Sequence, residues 1–290
     1  MIVSVKEILE KAKAGGYAVG AFNTTNLETT RAIVEAAKET KSPVIIQVTE
    51  KTMEYAGGRM IFNIIKNDVE FYAPEIPVGI HLDHGSSFEI VERAVEIGWS
   101  SVMYDGSRKE YADNVSMTKK VVDFCHKKGG DNITVQGELG SVPYLSEHKM
   151  GAVDWDAYMT DPEQARDFVE KTGIDTLAVA IGNAHGFFTE REVPDWARLE
   201  KIRSMIEIPI ILHGASDWED GKATKAIELG VNCFNVDTNT RLAFVNTLST
   251  IFKGDKDPGL DLRSILGEAR DAVKESVKRK MELFGCVGKA

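Results

Sequence analysis

Apolar residues recur along this chain in two periods that alternate from one end to the other. Ile2, Val5, Ile8, Leu9 and Ala12 fall at helical spacing, and Gly15 and Gly16 supply a stop. A short strand is expected at Ala18 to Asn23, then a helix over Asn26 to Lys38 capped by Thr25 or Asn26. After Pro43 the run VIIQVT, Val44 to Thr49, has the apolar and β-branched composition of a strand covered on both faces. Further strands are expected at Val78 to Asp83, Ser101 to Asp105, Thr134 to Leu139, Thr176 to Ile181, Pro209 to His213 and Val231 to Asp237. Helical patterns lie between them at Phe88 to Ile97, Asn114 to Lys128, Pro162 to Lys171, Trp196 to Met205 and Thr224 to Leu229.

Eight strands with one helix in each gap is the βα alternation of a parallel (β/α)8 barrel, the TIM-barrel form of the α/β class. An open doubly wound sheet is the alternative. The chain, residues 1–290, reads as a single domain with a C-terminal helical extension over about 262–284. That extension is charged and amphipathic, so its apolar face must dock on the barrel or on a neighbouring subunit. The longest irregular stretch, Gly140 to Asp161, follows the fifth strand and has the length of a functional lid or a disordered loop.

The third strand breaks the apolar pattern in a telling way. VGIHLDHG, Val78 to Gly85, runs from apolar residues into an acid, an imidazole and a glycine. In a parallel barrel ligands bind at the C-terminal edge, so Asp83 and His84 are expected at the mouth of a site. Neighbours diverge along an ideal strand, and both can face one site only if the strand ends there. The other unusual polar residues fall at the same edge: Asp105 ends the fourth strand, Glu138 lies at the end of the fifth, His185 follows the sixth, His213 ends the seventh, and Asn235 and Asp237 end the eighth.

His84, His185 and His213 each precede a glycine and come from different strand ends. Three such imidazoles can converge on zinc and leave a fourth position for substrate, the arrangement of a catalytic site. The remaining histidines take plainer readings. His126 sits at a basic helix end, where it complements the dipole, and His148 lies in the long polar loop. His81 shares a strand with Asp83 and is assigned to packing or to supporting a neighbour rather than to ligation. The loops His213 to Asp217 and Asn235 to Thr238 are rich in small residues, which lets backbone amides approach a phosphate; ordinary βα turns are the alternative.

Bulk properties narrow the partners. A net charge of −10 and a pI near 5.2, with no basic stripe, exclude non-specific nucleic-acid binding. Any phosphorylated substrate must then be held by local backbone amides and a metal. Cys125, Cys233 and Cys286 lack CxxC spacing and are read as reduced thiols. No apolar run has secretory or membrane-spanning length, so no membrane partner is expected and the location expected is cytoplasmic.

AFNTTNLET (Ala21 to Thr29), HLDHGSS (His81 to Ser87), SVMYD (Ser101 to Asp105), GELG (Gly137 to Gly140), GNAHG (Gly182 to Gly186), LHGAS (Leu212 to Ser216), NVDT (Asn235 to Thr238) and the ending GKA (Gly288 to Ala290) resemble, in order, the zinc-dependent class II fructose-bisphosphate aldolase family. That family includes the tagatose-bisphosphate aldolases. The resemblance implies a (β/α)8 barrel, homodimeric or homotetrameric, that reversibly cleaves a ketose 1,6-bisphosphate, with fructose 1,6-bisphosphate first in order. The products would be dihydroxyacetone phosphate and an aldehyde such as glyceraldehyde 3-phosphate. By position it implies His84, His185 and His213 as Zn2+ ligands and Asp83 as the catalytic acid/base. Asp105 and Glu138 become acidic neighbours of the metal or alternate ligands, with Glu138 also a candidate for proton exchange at the nucleophilic carbon. Gly186, Gly214, Ala215, Ser216, Asn235, Val236, Asp237 and Thr238 match the positions that hold the phosphate. Whether a monovalent cation, Na+ or K+, joins the zinc is left open.

Two departures bear on the substrate. Relatives often continue the sixth-strand motif as HGxYK, whereas this chain reads His185, Gly186, Phe187, Phe188, Thr189, with Arg191 as a substitute cation. Ser216-Asp217 stands where relatives often carry Ser-Gly. Tagatose 1,6-bisphosphate and a deoxy-keto sugar-acid phosphate therefore stay open as substrates, and Arg241 is a candidate for the distal phosphate. A sugar-phosphate-binding barrel that has lost catalysis is the reading from a different class. A cofactor-free isomerase leaves the strand-end histidines unexplained.

Overall fold

In the computed structural model, which describes residues 1–143, 155–184, 194–214, 216, 218–254 and 259–290, the two sequence periods become alternating strands and helices. The order is α1 (Val5–Gly15), β1 (Val19–Asn23), α2 (Leu27–Thr40), β2 (Val44–Thr49), α3 (Glu50–Ala56), α4 (Gly58–Tyr72), β3 (Val78–Gly85), α5 (Phe88–Ile97), β4 (Ser101–Tyr104), α6 (Tyr111–Gly129), β5 (Thr134–Leu139), α7 (Trp155–Tyr158), α8 (Pro162–Thr172), β6 (Thr176–Val179), α9 (Trp196–Met205), β7 (Ile210–Leu212), α10 (Asp220–Glu228), β8 (Val231–Val236), α11 (Thr238–Lys253) and α12 (Leu262–Leu283). Each strand pairs in parallel with the next, and β8 pairs with β1 to close the barrel. The open doubly wound sheet is thereby excluded. Nearly every strand residue is buried, because helices cover one face and the barrel interior takes the other.

The link between β2 and β3 holds two helices, α3 and α4, where one was expected; Thr49 caps the first through its side chain to Thr52 N, and Gly57 separates them. Asn26 is the cap of α2, accepting from Thr29 N, which decides between the two candidates. β4, β6, β7 and β8 end one or two residues earlier than expected, so Asp105, His213 and Asp237 stand just past the ladder, on the C-terminal rim.

The N-terminal mouth is covered by α1. It packs against β1, β3 and β8, and Lys6 reaches both Thr134 Oγ1 through its backbone N–H (2.8 Å) and the buried Asp175 (3.2 Å) through its ammonium. With that end covered, the C-terminal mouth remains for a ligand. The segment expected to need a partner, α12, docks on α2 and α11 with Ile265, Ala269, Val273, Val277 and Met281 buried in one stripe. Lys274 and Lys278 pair with Glu39 at 3.0 Å along its edge. Among the described residues no helix is long and apolar enough to cross a membrane.

Candidate metal centre at the C-terminal mouth

The site depends on a break in β3. Asp83 keeps register with Thr49 of β2, but pairing to β4 shifts between Leu82 and Gly85, and His84 takes a left-handed φ of 52°. The strand therefore does not end at Asp83, as expected. It bulges, and the extra residue turns the His84 ring toward the same mouth that Asp83 faces. His84 Nε2 then lies 3.8 Å from Asp83 Oδ1 and 3.1 Å from His213 Nδ1. The two rings meet edge to face, 4.7 Å apart at 84°.

Carboxylates surround this pair. Asp105 Oδ2 lies 2.7 Å from His84 Nδ1, while its other oxygen accepts from Ser107 N (3.1 Å) and Ser107 Oγ (2.7 Å). Glu138 Oε2 stands 3.3 Å from His213 Nδ1, is buried, and makes no hydrogen bond among the described residues. Two sets of side chains have ligand atoms all within 4.8 Å of one another: Asp83, His84 and His213, and His84, Asp105 and Glu138. Three carboxyl groups thus face two imidazoles in a buried space, an imbalance that a divalent cation would offset. Imidazole nitrogens with carboxylate oxygens form a donor set suited to zinc and to related divalent ions.

Protonation follows the same imbalance. Burial works against a charged His84, yet Asp83 and Asp105 outweigh it and hold the imidazole up at about 10. Burial lifts the Glu138 carboxyl to about 8, with Asp105 adding to the rise and His84 opposing it. Asp105 is also opposed by burial, but the His84 and Ser107 hydrogen bonds keep it well below the usual carboxylate range. Asp83 is lowered in the same way by His84, His213 and Asn23 against the effect of burial.

Several residues to which the sequence reading assigned no role hold the site in place. Asn23 Nδ2 donates to Asp83 Oδ2 (2.8 Å), and Gln47 Nε2 donates to Asn23 Oδ1 (2.6 Å). Gln136 Nε2 lies 2.9 Å from His213 Nε2. Their signal was a polar side chain inside an otherwise apolar strand, in step with a rim residue: Gln47 precedes Thr49 by two, and Gln136 precedes Glu138 by two. Asn235, expected near a phosphate, directs Nδ2 to Asp83 Oδ1 (3.3 Å). Asp237 pairs with Arg241 at 2.5 Å, and burial raises its carboxyl to about 6. Thr238 opens α11, and no side chain caps that helix.

Gly214 (φ 58°) and the buried Ser216 follow His213 at the mouth, and Val236 is buried at the end of β8. His81 is buried, bonds Ser101 Oγ through Nδ1 at 2.8 Å, and is held down to about 4 by burial, in keeping with a packing role. His126 does more than complement a helix dipole, since its Nε2 meets the buried Asp175 at 3.1 Å. His185, Gly186, Ala215, His148, Thr189, Arg191 and Asp217 lie outside the described residues.

Comparison with known proteins agrees with this geometry. The family model of class-II fructose-bisphosphate aldolase matches residues 3–289. A fructose-bisphosphate aldolase of Thermus caldophilus is 44% identical, covering 100% of both chains. One of Geobacillus stearothermophilus is 40% identical over 100% of this chain and 99% of its own. Among solved structures, the YdjI aldolase of Escherichia coli K12 superposes with a TM-score of 0.87 at 33% identity, covering 100% of both chains. By that identity and coverage, the chain belongs to the class-II fructose-bisphosphate aldolase family, a family of metal-dependent carbon–carbon lyases.

Proposed function

We propose that this enzyme cleaves fructose 1,6-bisphosphate reversibly to dihydroxyacetone phosphate and glyceraldehyde 3-phosphate, with zinc as its metal. The observation that carries the reading is the approach of His84 Nε2 to His213 Nδ1, 3.1 Å apart beside the Asp83 carboxylate. In this reading His84, His213 and His185 hold the ion, with Asp105 and Glu138 as alternate ligands. When bound, the ion would act as a Lewis acid toward negative charge on the substrate's oxygens.

The chain's own groups account for the proton movements. Asp83 is deprotonated and held through both oxygens by the Asn23 and Asn235 amides. It is placed to accept the proton of the hydroxyl beside the breaking carbon–carbon bond and to return it in condensation. Glu138, raised to about 8, exchanges a proton at the nucleophilic carbon. The phosphate of dihydroxyacetone phosphate lies against Gly186, Gly214, Ala215 and Ser216 and the N-terminus of α11, where Asn235 to Thr238 bring backbone N–H groups. Arg241 faces the distal phosphate, tempered by its pairing with Asp237.

That pairing reduces the free positive charge at the distal end and so keeps a sugar-acid phosphate as the second reading. Tagatose 1,6-bisphosphate, which carries the same distal phosphate and differs at C4, is separated from fructose 1,6-bisphosphate by assay. Exposed Leu242, Val245 and Phe252 on α11, with Leu262 on α12, support a homodimer or homotetramer. Three buried free cysteines suit a reducing cytoplasm. The decisive experiment pairs metal analysis with cleavage of fructose and tagatose 1,6-bisphosphates side by side. About one zinc per chain with faster fructose 1,6-bisphosphate turnover is expected. Faster tagatose turnover would overturn the substrate, and tight sugar-phosphate binding without metal or turnover would mean a barrel that has lost catalysis.

A further inference from the structure

We propose that Lys280, near the end of α12, is a positioning residue for phosphate binding: its ammonium holds the loop after β7 in the form that receives the anion. The inference rests on reading that loop as a phosphate site. Lys280 Nζ donates to Ser216 O at 3.0 Å, joining residues 64 apart in the chain. Ser216 is buried, and Val277 and Met281, which flank Lys280 on α12, are fully buried, so both ends of the bond are fixed by packing.

A second line of contacts joins the same two elements. Phe284, just past α12, stacks on Phe234 of β8 at 4.6 Å and 11°. Phe234 meets Trp218 at 6.5 Å, and Trp218 meets Trp196 at 5.9 Å. This aromatic column seats the far end of the β7 loop against the C-terminal helix, and it touches α9 where the chain returns from the loop after β6. Lys280 supplies the polar half of the same seat. A loop carbonyl is the backbone group that a phosphate repels. Engaged by an ammonium, its partial negative charge is taken up. In a chain of net charge −10, an ammonium brought to that carbonyl from another element lessens the repulsion an anion meets at the loop.

The test uses the full-length, metal-loaded enzyme in the condensation direction, with dihydroxyacetone phosphate and with unphosphorylated dihydroxyacetone. Lys280→Met should raise KM for the phosphorylated substrate roughly tenfold, the scale of one charge-assisted hydrogen bond. It should weaken competitive inhibition by inorganic phosphate by a similar factor, while kcat changes far less and the unphosphorylated substrate is unaffected. Lys280→Arg should recover most of the loss. Unchanged KM and phosphate inhibition in Lys280→Met would overturn the inference, as would equal losses on both substrates or a loss that Arg does not relieve. Gly214→Val, which forces a β-branched residue to a φ of 58°, perturbs the loop directly. If it raises KM for dihydroxyacetone phosphate and Lys280→Met does not, only the role of Lys280 falls. If neither variant raises it, the reading of the loop as a phosphate site falls too.

Discussion

Replacing Asp105 by asparagine should damage the metal centre without touching a ring nitrogen that faces the cavity. In the native chain Asp105 presents two acceptors in two directions: Oδ2 to His84 Nδ1 at 2.7 Å and Oδ1 to the N–H and hydroxyl of Ser107. The carboxylate fixes the proton on Nδ1, so that the proton a metal displaces is the one on Nε2, which faces the cavity. An amide has one acceptor. If its oxygen stays with Ser107, its NH2 faces His84 Nδ1, which draws the proton to Nε2 and closes the position that should bind metal. If it flips, its NH2 meets the Ser107 N–H, donor against donor. Supporting partners of this kind typically contribute about 10- to 100-fold in metal affinity. We expect Asp105→Asn to lose at least that and to be worse than Asp105→Ala, in which water can still accept from Nδ1. Competition with a chromophoric chelator gives the affinities, and the His84 ring resonances report the tautomer. Native affinity in Asp105→Asn, or a weaker site in Asp105→Ala, would refute the tautomer argument.

Other expectations are briefer. Asp83→Ala should lower kcat by roughly 10²- to 10⁴-fold, the usual contribution of a positioned acid/base, while metal content measured on the purified protein stays native; substantial turnover would mean that another group is the base. The metal-free protein should lose stability as pH rises from 6.5 to 8, because His84 (about 10 against 6.5) and Glu138 (about 8 against 4.5) both bind more protons folded than unfolded across that window. Asp83 and Asp105 are ionised in both states there and add no slope, and His81 (about 4 against 6.5) opposes the trend only at the low end of the window. Thermal midpoints of chelator-treated protein at the two pH values decide the matter, and a flat or rising trend refutes it. At the opposite end of the barrel Asp175 accepts from Val135 N (2.9 Å) and His126 Nε2 (3.1 Å) and pairs with Lys6 (3.2 Å). Asp175→Ala should cost about 1–3 kcal/mol in urea unfolding by leaving a buried donor unmade, yet leave kcat/KM intact; lost activity in folded protein would contradict this division between the two ends.

That division explains what was legible in the sequence. Strand and helix positions could be read because each element buries its face against the barrel, which imposes the period: α5 and α9 match the expected bounds, and β2 and β5 do too. The rim residues were legible because a polar group at the end of a buried strand has no structural reason to be there. Asn23, Gln47 and Gln136 escaped because an amide inside a strand has the same letter whether it fills space or orients a carboxylate. Only the partner across the barrel separates the two cases. The pair α3 and α4 was missed because one helix was expected in each gap between strands, and here a single residue, Gly57, divides the gap between β2 and β3 into two helices. His185, the remaining member of the expected zinc trio, lies outside the described residues, so the third ligand rests on the sequence pattern.

The bulge at His84 is the step that sequence periodicity could not supply, and it has a consequence at its neighbour. In a regular strand His84 would point away from the cavity that holds Asp83, among the helices outside the barrel. The left-handed residue reverses this, and the chain must then rejoin β4, which it does through Asp105 N donating to Gly85 O at 2.9 Å. The rejoining is tight: a Cβ on Gly85 would stand 2.5 Å from Met103 O, a backbone atom that cannot swing aside. Gly85→Ala must therefore part β3 from β4 where His84 and Asp105 face each other across 2.7 Å. The loss should be in metal affinity first, since that hydrogen bond spans the two strands being parted, with about 1–3 kcal/mol of stability lost as for other overpacked sites. Chelator competition and urea unfolding on one preparation separate the two effects. A variant that binds metal as tightly as the parent would mean that the bulge does not aim His84, and that adjacency in sequence, rather than a shift of register, brings acid and imidazole together.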